Sequence, residues 1–149
     1  RKIKTNQLLD YTSSDLSGNF IAEKKFDITG ISMPDNSYDL IVCYHILEHI
    51  ENDKKAMSEL YRVLRKNGNC IIQTPFKEGD IYEDNSIKTK EDRIKYFGQD
   101  DHLRIYSVQG LKNRLEESGF QVLVNHYTEK QNNKFGYYED EYVLICQKI

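Results

Sequence analysis

Blocks of hydrophobic and polar positions in the middle of the chain predict a strand, a helix and a second strand. Tyr38–Tyr44 reads YDLIVCY, a short apolar run typical of a parallel strand covered on both faces. Asn52 or Asp53 can cap the helix that follows, and Gly68 suits its left-handed C-terminal position. The helix has an apolar stripe made of Ala56, Met57, Leu60, Val63 and Leu64. Residues 70–74 (CIIQT) predict the second strand, which completes a right-handed βαβ unit.

Shorter patterns predict further elements on both sides of this unit. Upstream, residues 11–16 and 25–28 are short strand candidates, each with an aspartate near its end. Downstream, Ser107 can cap a helix with Val108, Leu111 and Leu115 on its buried face, which Gly119 ends. Residues 120–127 and 141–146 are the last two strands. Their polar connection predicts an antiparallel hairpin.

A long polar insertion over residues 76–104 separates the βαβ unit from these later elements. A helix is predicted within residues 88–97. Insertions of this length in compact domains are typical of functional lids. We therefore predict one α/β domain over residues 1–149, with residues 76–104 as an inserted loop or lid.

Composition narrows the class of function. The chain has 149 residues, of which 38% are hydrophobic and 30% charged, and it contains no apolar run of the roughly 20 residues that span a bilayer. Its net charge of −3 argues against a nucleic-acid partner, because such domains are usually basic. Three cysteines at 43, 70 and 146 lie in apolar runs and indicate buried thiols in a reducing compartment. A cytoplasmic protein without a membrane partner is expected.

Two histidines and a glutamate follow the central strand as His45-x-x-Glu48-His49, a spacing found in one class of zinc peptidase. That chemistry needs both histidines on one helix turn, whereas the strand here runs to Tyr44 and the helix begins near Asn52. We therefore assign no metal ligand. A nicotinamide-dependent oxidoreductase is disfavoured as well, because the chain has neither a Gly-rich fingerprint nor a tyrosine followed four residues later by lysine.

Several segments in order resemble a class I S-adenosylmethionine-dependent methyltransferase of the type 11 kind. They are the strand DLIVCY, the loop LEH, the helix ELYRVLRKNG, the strand that stops at Pro75, and the later pair FGQDDHLRIY and LEESGF. The resemblance covers residues 11–124. It implies a Rossmann-like methyltransferase sheet, mostly parallel with a C-terminal antiparallel hairpin, and S-adenosylmethionine across the carboxyl ends of its strands. The implied activity is methyl transfer to an acceptor that the sequence does not identify.

The resemblance also implies where the cofactor binds. An acidic residue after the second family strand binds the ribose hydroxyls, and this position is Asp15. One ionised carboxylate can accept both hydroxyl hydrogen bonds. An aspartate beside the adenine would be Asp27. The six implied cofactor-binding residues are Asp15, Leu16, Asp27, Ile28, Tyr44 and His45.

Methyl transfer mostly requires that donor and nucleophile are aligned and water is excluded. A general base is needed only when the nucleophile must lose a proton. The catalytic candidates are His45, which follows the strand directly, and His102 in the QDDHLR segment. His49 beside Glu48 is interpreted as a structural pair.

The family's first strand and its Gly-rich turn should precede Tyr11, yet no two of the eight glycines form a G-x-G pattern. Either the second and fourth family strands pair directly, a partner chain fills the gap between them, or the chain is a fragment with its N-terminal part truncated. An incomplete sheet would expose unpaired edges and favour a homodimer. The alternative function is a non-catalytic scaffold or dimerisation domain with the methyltransferase fold and no cofactor.

Overall fold

The computed structural model describes residues 6–18, 20–128 and 140–149 of the chain. A 3₁₀ helix, Leu47–His49, follows the first strand. The strands are β1 Tyr38–Tyr44, β2 Leu64–Gln73, β3 Tyr82–Glu83, β4 Arg104–Ile105, β5 Gln121–Tyr127 and β6 Glu141–Gln147, and the α-helices are α1 Asp53–Val63, α2 Lys90–Phe97 and α3 Val108–Glu117.

The main sheet has the strand order β1-β2-β6-β5. β1 and β2 are parallel, whereas β2–β6 and β5–β6 are antiparallel. The predicted βαβ unit, the helix capped by Ser107 and the C-terminal antiparallel pair are therefore confirmed. The helix predicted within residues 88–97 is α2, and the connection at 129–139 lies outside the described residues. Within the described residues no helix is long and apolar enough to cross a membrane.

The link between α1 and β2 differs from the prediction. The side chain of Asn52 caps α1 as expected, but the helix ends at Val63 and the chain becomes extended at once. The left-handed residue is Asn67, with φ of 64°, and Gly68 does not have that role. A Cβ at Gly68 would lie 2.9 Å from the backbone oxygens of Arg65 and Asp39. Glycine is needed there because backbones approach closely.

The strands predicted at residues 11–16 and 25–28 do not form. The described residues of this region contain only one isolated bridge, between Ser14 and Lys24. The segment that follows is held instead by α1, because the Ile31 amide donates to the Glu59 carboxylate at 2.9 Å and Arg62 donates to the Met33 carbonyl at 2.8 Å. Side chains of α1, and not a neighbouring strand, thus bind the backbone of residues 31 and 33.

The two faces of the sheet are buried to different degrees. One face belongs to the core with α1 and α3, and its side chains include Cys43, Cys70, Ile72, Val122, Leu144 and Cys146. On the other face, Val42, Ile71, Ile145 and Leu123 lie side by side in register. Val42 and Leu123, at the two ends of this row, are 61% and 60% exposed. The apolar run of β1 therefore predicts burial on both faces, but only one face is covered within the described chain.

Lys148 closes the C-terminal end of α1. Its ammonium group donates to the carbonyls of Tyr61 and Leu64, each at 2.9 Å, and to the Asn36 side chain at 3.0 Å. The last carbonyls of a helix have no partner within the helix, and a cation there also interacts favourably with the helix dipole.

Candidate functional site

The carboxyl ends of β1 and β2 lie side by side at one edge of the sheet. Tyr44 is the register partner of Gln73, and the His45 amide donates to the Gln73 carbonyl at 3.0 Å. His45 then adopts a positive φ of 51°, which turns the chain sharply out of the strand. This is the edge at which open α/β sheets bind ligands.

Unpartnered polar atoms occur at this edge. Gln73 Oε1 and Thr74 Oγ1 are buried and have no hydrogen-bond partner within the described residues. An open cleft of about 710 Å³ adjoins them, lined by residues 73–79, 107–109 and 140–142. Buried polar atoms are nearly always hydrogen-bonded in folded proteins. Gln73 Oε1 can therefore accept a hydrogen bond from a polar ligand, and the Thr74 hydroxyl can accept or donate one, which fits a nucleoside-type cofactor.

Asp15 lies in a tight turn of its own. Its carboxylate accepts hydrogen bonds from the Ser17 hydroxyl and the Gly18 amide, at 2.9 and 2.6 Å, and from the Phe20 amide at 3.3 Å. Desolvation raises the pKa of Asp15, but these bonds outweigh it and lower the pKa below its ordinary value. Asp15 is therefore ionised near neutral pH, and its oxygens already bind its own loop.

Asp27 is similar. Its Oδ1 accepts hydrogen bonds from the Thr29 hydroxyl and amide at 2.7 and 2.8 Å, and these bonds lower the pKa of the exposed carboxyl. Ile28 packs against the core, whereas Leu16 is exposed. Neither aspartate hydrogen-bonds to the carboxyl ends of β1 and β2 in the described structure, so their cofactor-binding roles stay predictions.

His45, Glu48 and His49 do not share one helix. His45 precedes the 3₁₀ helix, and its side chain is 58% exposed. Its Nδ1 lies 3.3 Å from Glu48 Oε1. The geometry required of a zinc-peptidase helix is thus missing, as the sequence indicates. Glu48 itself is only 1% exposed.

His102, from a distant segment of the chain, also lies close to Glu48. Glu48, His49 and His102 each offer a ligand-type atom, and these three atoms all lie within 4.8 Å of one another. His102 is 3% exposed, and its ring meets that of His49 edge-to-face at 4.7 Å. We call this group the histidine cluster. No metal ligand is predicted from the sequence, because His102 is more than fifty positions away from Glu48 and His49.

A separate charged cluster lies beside it. Arg104 donates to Glu83 at 3.0 Å, Arg114 donates to Asp53 at 2.6 Å, and the Tyr106 hydroxyl donates to Asp53 at 2.6 Å. Arg104 also donates to the carbonyls of residues 47, 50 and 51. We call these five side chains the arginine cluster. They hold the 3₁₀ helix and the start of α1 against β3, β4 and α3.

Residues 102–106 contribute to both clusters. His102, Arg104 and Tyr106 are buried, whereas Leu103 and Ile105 are half-buried, an alternation typical of an extended segment. This alternation in HLRIY is the sequence signal that identifies His102 and Arg104 as inward-facing. The partners of both residues come from distant segments, which sequence spacing does not reveal.

The three cysteines are buried free thiols, as predicted. Burial, with a smaller contribution from the nearby Glu48 charge, raises the pKa of Cys43 to about 12. Burial also raises the pKa of Cys146 to about 12. Thiols with such pKa values are protonated at neutral pH and are poor nucleophiles. They pack the core.

The sequence model of a methyltransferase domain matches residues 1–125 of the chain. The chain belongs to this methyltransferase family. S-adenosylmethionine, the predicted cofactor, is confirmed at the level of the family.

Individual relatives agree with this assignment. An uncharacterized protein of Methanocaldococcus jannaschii is 32% identical over 93 residues, which are 58% of this chain and 41% of that protein. A protein of Mycolicibacterium smegmatis, named a probable S-adenosylmethionine-dependent methyltransferase, is 30% identical over 69 residues, which are 44% of this chain and 27% of that protein. The chain thus spans less than half the length of these two relatives.

Solved structures support the fold. An S-adenosylmethionine-dependent methyltransferase from Archaeoglobus fulgidus superposes with a TM-score of 0.59 at 17% identity, covering 84% of this chain and 66% of that one. At this identity the likeness concerns the fold. The predicted Rossmann-like α/β class is therefore confirmed.

Proposed function

We propose that this methyltransferase domain transfers a methyl group from S-adenosylmethionine to an acceptor at the carboxyl ends of β1 and β2. The observation that carries the proposal is the pair of buried oxygens of Gln73 and Thr74 without partners in the described structure, at the edge where this fold receives ligands. The cleft of about 710 Å³ beside them offers room for an acceptor. The acceptor's chemical class stays open.

The bound cofactor would supply an electrophilic methyl group on a sulfonium, whose leaving group departs neutral. The chain's residues then have to hold and orient the reactants and exclude water. Tyr44 and His45, at the end of β1 beside Gln73, are proposed to contact the bound cofactor. Gln73 and Thr74 would hydrogen-bond to the bound molecules. Asp15 and Asp27, both ionised, are proposed to accept hydrogen bonds from hydroxyl and amine groups of the nucleoside.

His45 is the proposed proton acceptor when the nucleophile carries a proton. Its ring is exposed at the end of β1, and its Nδ1 faces the Glu48 carboxylate at 3.3 Å. A proton taken up at Nε2 would form an imidazolium that this carboxylate stabilises. His102, the other predicted candidate, is 3% exposed and its Nδ1 lies 3.2 Å from the Phe97 carbonyl. Its burial disfavours direct contact with an acceptor.

Calorimetric titration with S-adenosylmethionine tests the proposal. We expect saturable binding, weakened about tenfold by Gln73→Leu, which corresponds to the loss of about one hydrogen bond. Gln121→Leu is the matched control. Gln121 on β5 and Asn69 on β2 are both register partners of Gln147 and therefore lie at the same level of the sheet. This level is at the edge of the sheet opposite to that of Gln73. A folded sample that gives a flat titration would contradict the proposal and favour the non-catalytic scaffold.

A further inference from the structure

We infer that Glu48, His49 and His102 form a binding site for one divalent transition-metal ion. The site goes beyond the proposed methyl transfer and does not depend on it. The three ligand-type atoms already lie within 4.8 Å of one another. Ligand bonds of about 2.0–2.2 Å in a tetrahedral site would bring neighbouring ligand atoms to about 3.5 Å. Small side-chain rotations are therefore enough to close the site.

The state of Glu48 is the observation that points to a missing partner. Its side chain is 1% exposed, and neither carboxylate oxygen accepts a hydrogen bond within the described structure. His45 Nδ1 lies 3.3 Å from Oε1 but without hydrogen-bond alignment. An isolated buried carboxylate is strongly unfavourable unless it is neutralised, paired or bound to a metal. A cation in the histidine cluster would satisfy it.

Both histidines have a hydrogen-bond acceptor close to Nδ1. His102 Nδ1 lies 3.2 Å from the Phe97 carbonyl oxygen, and His49 Nδ1 lies 3.2 Å from Asp101 Oδ2. An acceptor at Nδ1 favours the tautomer with its proton there. The lone pair is then on Nε2, the atom available to a metal. Metal-binding histidines usually donate their other ring N–H to a carboxylate or a backbone carbonyl in this way.

The backbone around the cluster holds the ligands in place. The Leu103 amide donates to the Glu48 carbonyl at 2.9 Å, which joins the segment of His102 directly to the 3₁₀ helix. Arg104 donates to the Leu47 and Ile50 carbonyls on either side of the two ligands in that helix. Both ligand-bearing segments are thus fixed before an ion arrives, as a precise metal site requires.

The donor set selects the kind of ion. Two imidazole nitrogens and one carboxylate suit Zn²⁺, Mn²⁺, Fe²⁺ or Co²⁺, whereas Mg²⁺ and Ca²⁺ prefer oxygen ligands. The set carries one negative charge, which favours a divalent cation. Three protein ligands would leave at least one coordination position for water or another molecule.

Titration of the metal-free chain with Zn²⁺, followed by calorimetry, tests the site. We expect one equivalent to bind. Glu48→Gln and His102→Gln should each weaken binding by at least about 100-fold, and Asp101→Asn by about 10-fold, the lower value expected of an outer partner. His126→Gln is the matched control, because His126 also faces a carboxylate, Asp140 at 3.1 Å, but lies outside the cluster.

Two further measurements separate the alternatives. The absorption spectrum with Co²⁺ should show visible d–d bands typical of nitrogen and oxygen ligation and no thiolate charge-transfer bands in the near-ultraviolet. Such charge-transfer bands would implicate the cysteines. Mg²⁺ in excess should not displace Zn²⁺. Absence of binding to a folded sample, or binding unaffected by Glu48→Gln and Asp101→Asn, would overturn the inference. Asp101 is 64% exposed, so its substitution should not disturb folding. Because no S-adenosylmethionine is present, failure here is distinct from failure of the cofactor titration.

Discussion

The histidine cluster and the arginine cluster lie next to each other along residues 102–106, yet only one of them is complete. In the arginine cluster, two carboxylates face two guanidinium groups, and Arg104 also satisfies backbone carbonyls. In the histidine cluster, the Glu48 carboxylate is more deeply buried than Glu83 and accepts no hydrogen bond within the described residues.

The difference separates a structural role from a binding role. A buried ionic network whose members all have partners fixes local geometry and needs nothing from outside. A buried carboxylate without a partner either costs stability or awaits a ligand. Substitutions in the two clusters should therefore change the free energy of unfolding in different ways.

The largest effect is expected from Arg104→Met. The substitution removes the Arg104 donor from the carbonyls of Ile50 and Glu51 and leaves the Glu83 carboxylate with one arginine fewer. Breaking a buried ionic network from one side costs about 3–5 kcal/mol of unfolding free energy, measurable by urea unfolding. Arg65→Met is the control, because Arg65 pairs with Asp39 at the surface. It should cost at most about 1 kcal/mol. Equal losses of unfolding free energy in the two variants would contradict a structural role of the arginine cluster.

Tyr106→Phe should have a smaller effect in the same cluster. It removes one short hydrogen bond to Asp53, at 2.6 Å, while Arg114 keeps its own. A hydrogen bond to a charged group contributes about 1.5–3 kcal/mol. Urea unfolding of Tyr106→Phe beside Tyr96→Phe, on an exposed tyrosine, checks this value. A loss no greater than that of Tyr96→Phe would show that Asp53 does not need the hydroxyl.

Acid should weaken the arginine cluster. Hydrogen bonds from Arg114 and, to a lesser extent, Arg104 lower the pKa of Glu83 below its ordinary value of 4.5. A carboxyl whose folded-state pKa is lowered contributes stability that is complete above the unfolded-state pKa and is lost as the pH falls through the folded-state pKa. We therefore expect the urea concentration at the unfolding midpoint to decrease as the pH is lowered below about 4.5. In Glu83→Gln this decrease should be less steep. An identical acid dependence in that variant would contradict the assignment.

The smallest effect on the free energy of unfolding is expected from Glu48→Gln in metal-free protein, and this substitution should not destabilise as those in the arginine cluster do. The substitution replaces a buried carboxylate that accepts no hydrogen bond within the described residues, and that has the exposed His45 ring 3.3 Å away, by a neutral group of similar shape. The unfolding free energy should therefore stay within about 1 kcal/mol or rise. Asp53→Asn, which removes a charge that Tyr106 and Arg114 both bind, should destabilise instead. If both variants lost the same stability, Glu48 would have an internal partner after all.

The sequence predicts local features well because their signals are local. The apolar run of β1, the Asn52 and Ser107 caps and the period of α1 and α3 lead directly to the observed elements. The predicted helix end at Gly68 fails because backbone crowding, not a left-handed turn, requires glycine there.

Long-range features are harder to predict. Residues 11–16 and 25–28 have the residue types of strands, but a strand forms only where a neighbouring strand pairs with it. Within the described chain this region makes one isolated bridge and no strand. Glu48 and His49 are readily found beside β1, but His102 joins them only through the path of the insertion and the Leu103 hydrogen bond. The partners of a buried group are set by tertiary contacts, which one sequence does not display.

The position of Lys148 has a consequence for the order of folding. Because the carbonyls at the end of α1 bind an ammonium group more than eighty positions later, this helix stays incompletely capped until β6 has docked. A chain that has not yet been extended as far as β6 therefore collapses around α1 with this helix end incomplete, and the sheet next to it is finished only when β6 pairs with β2.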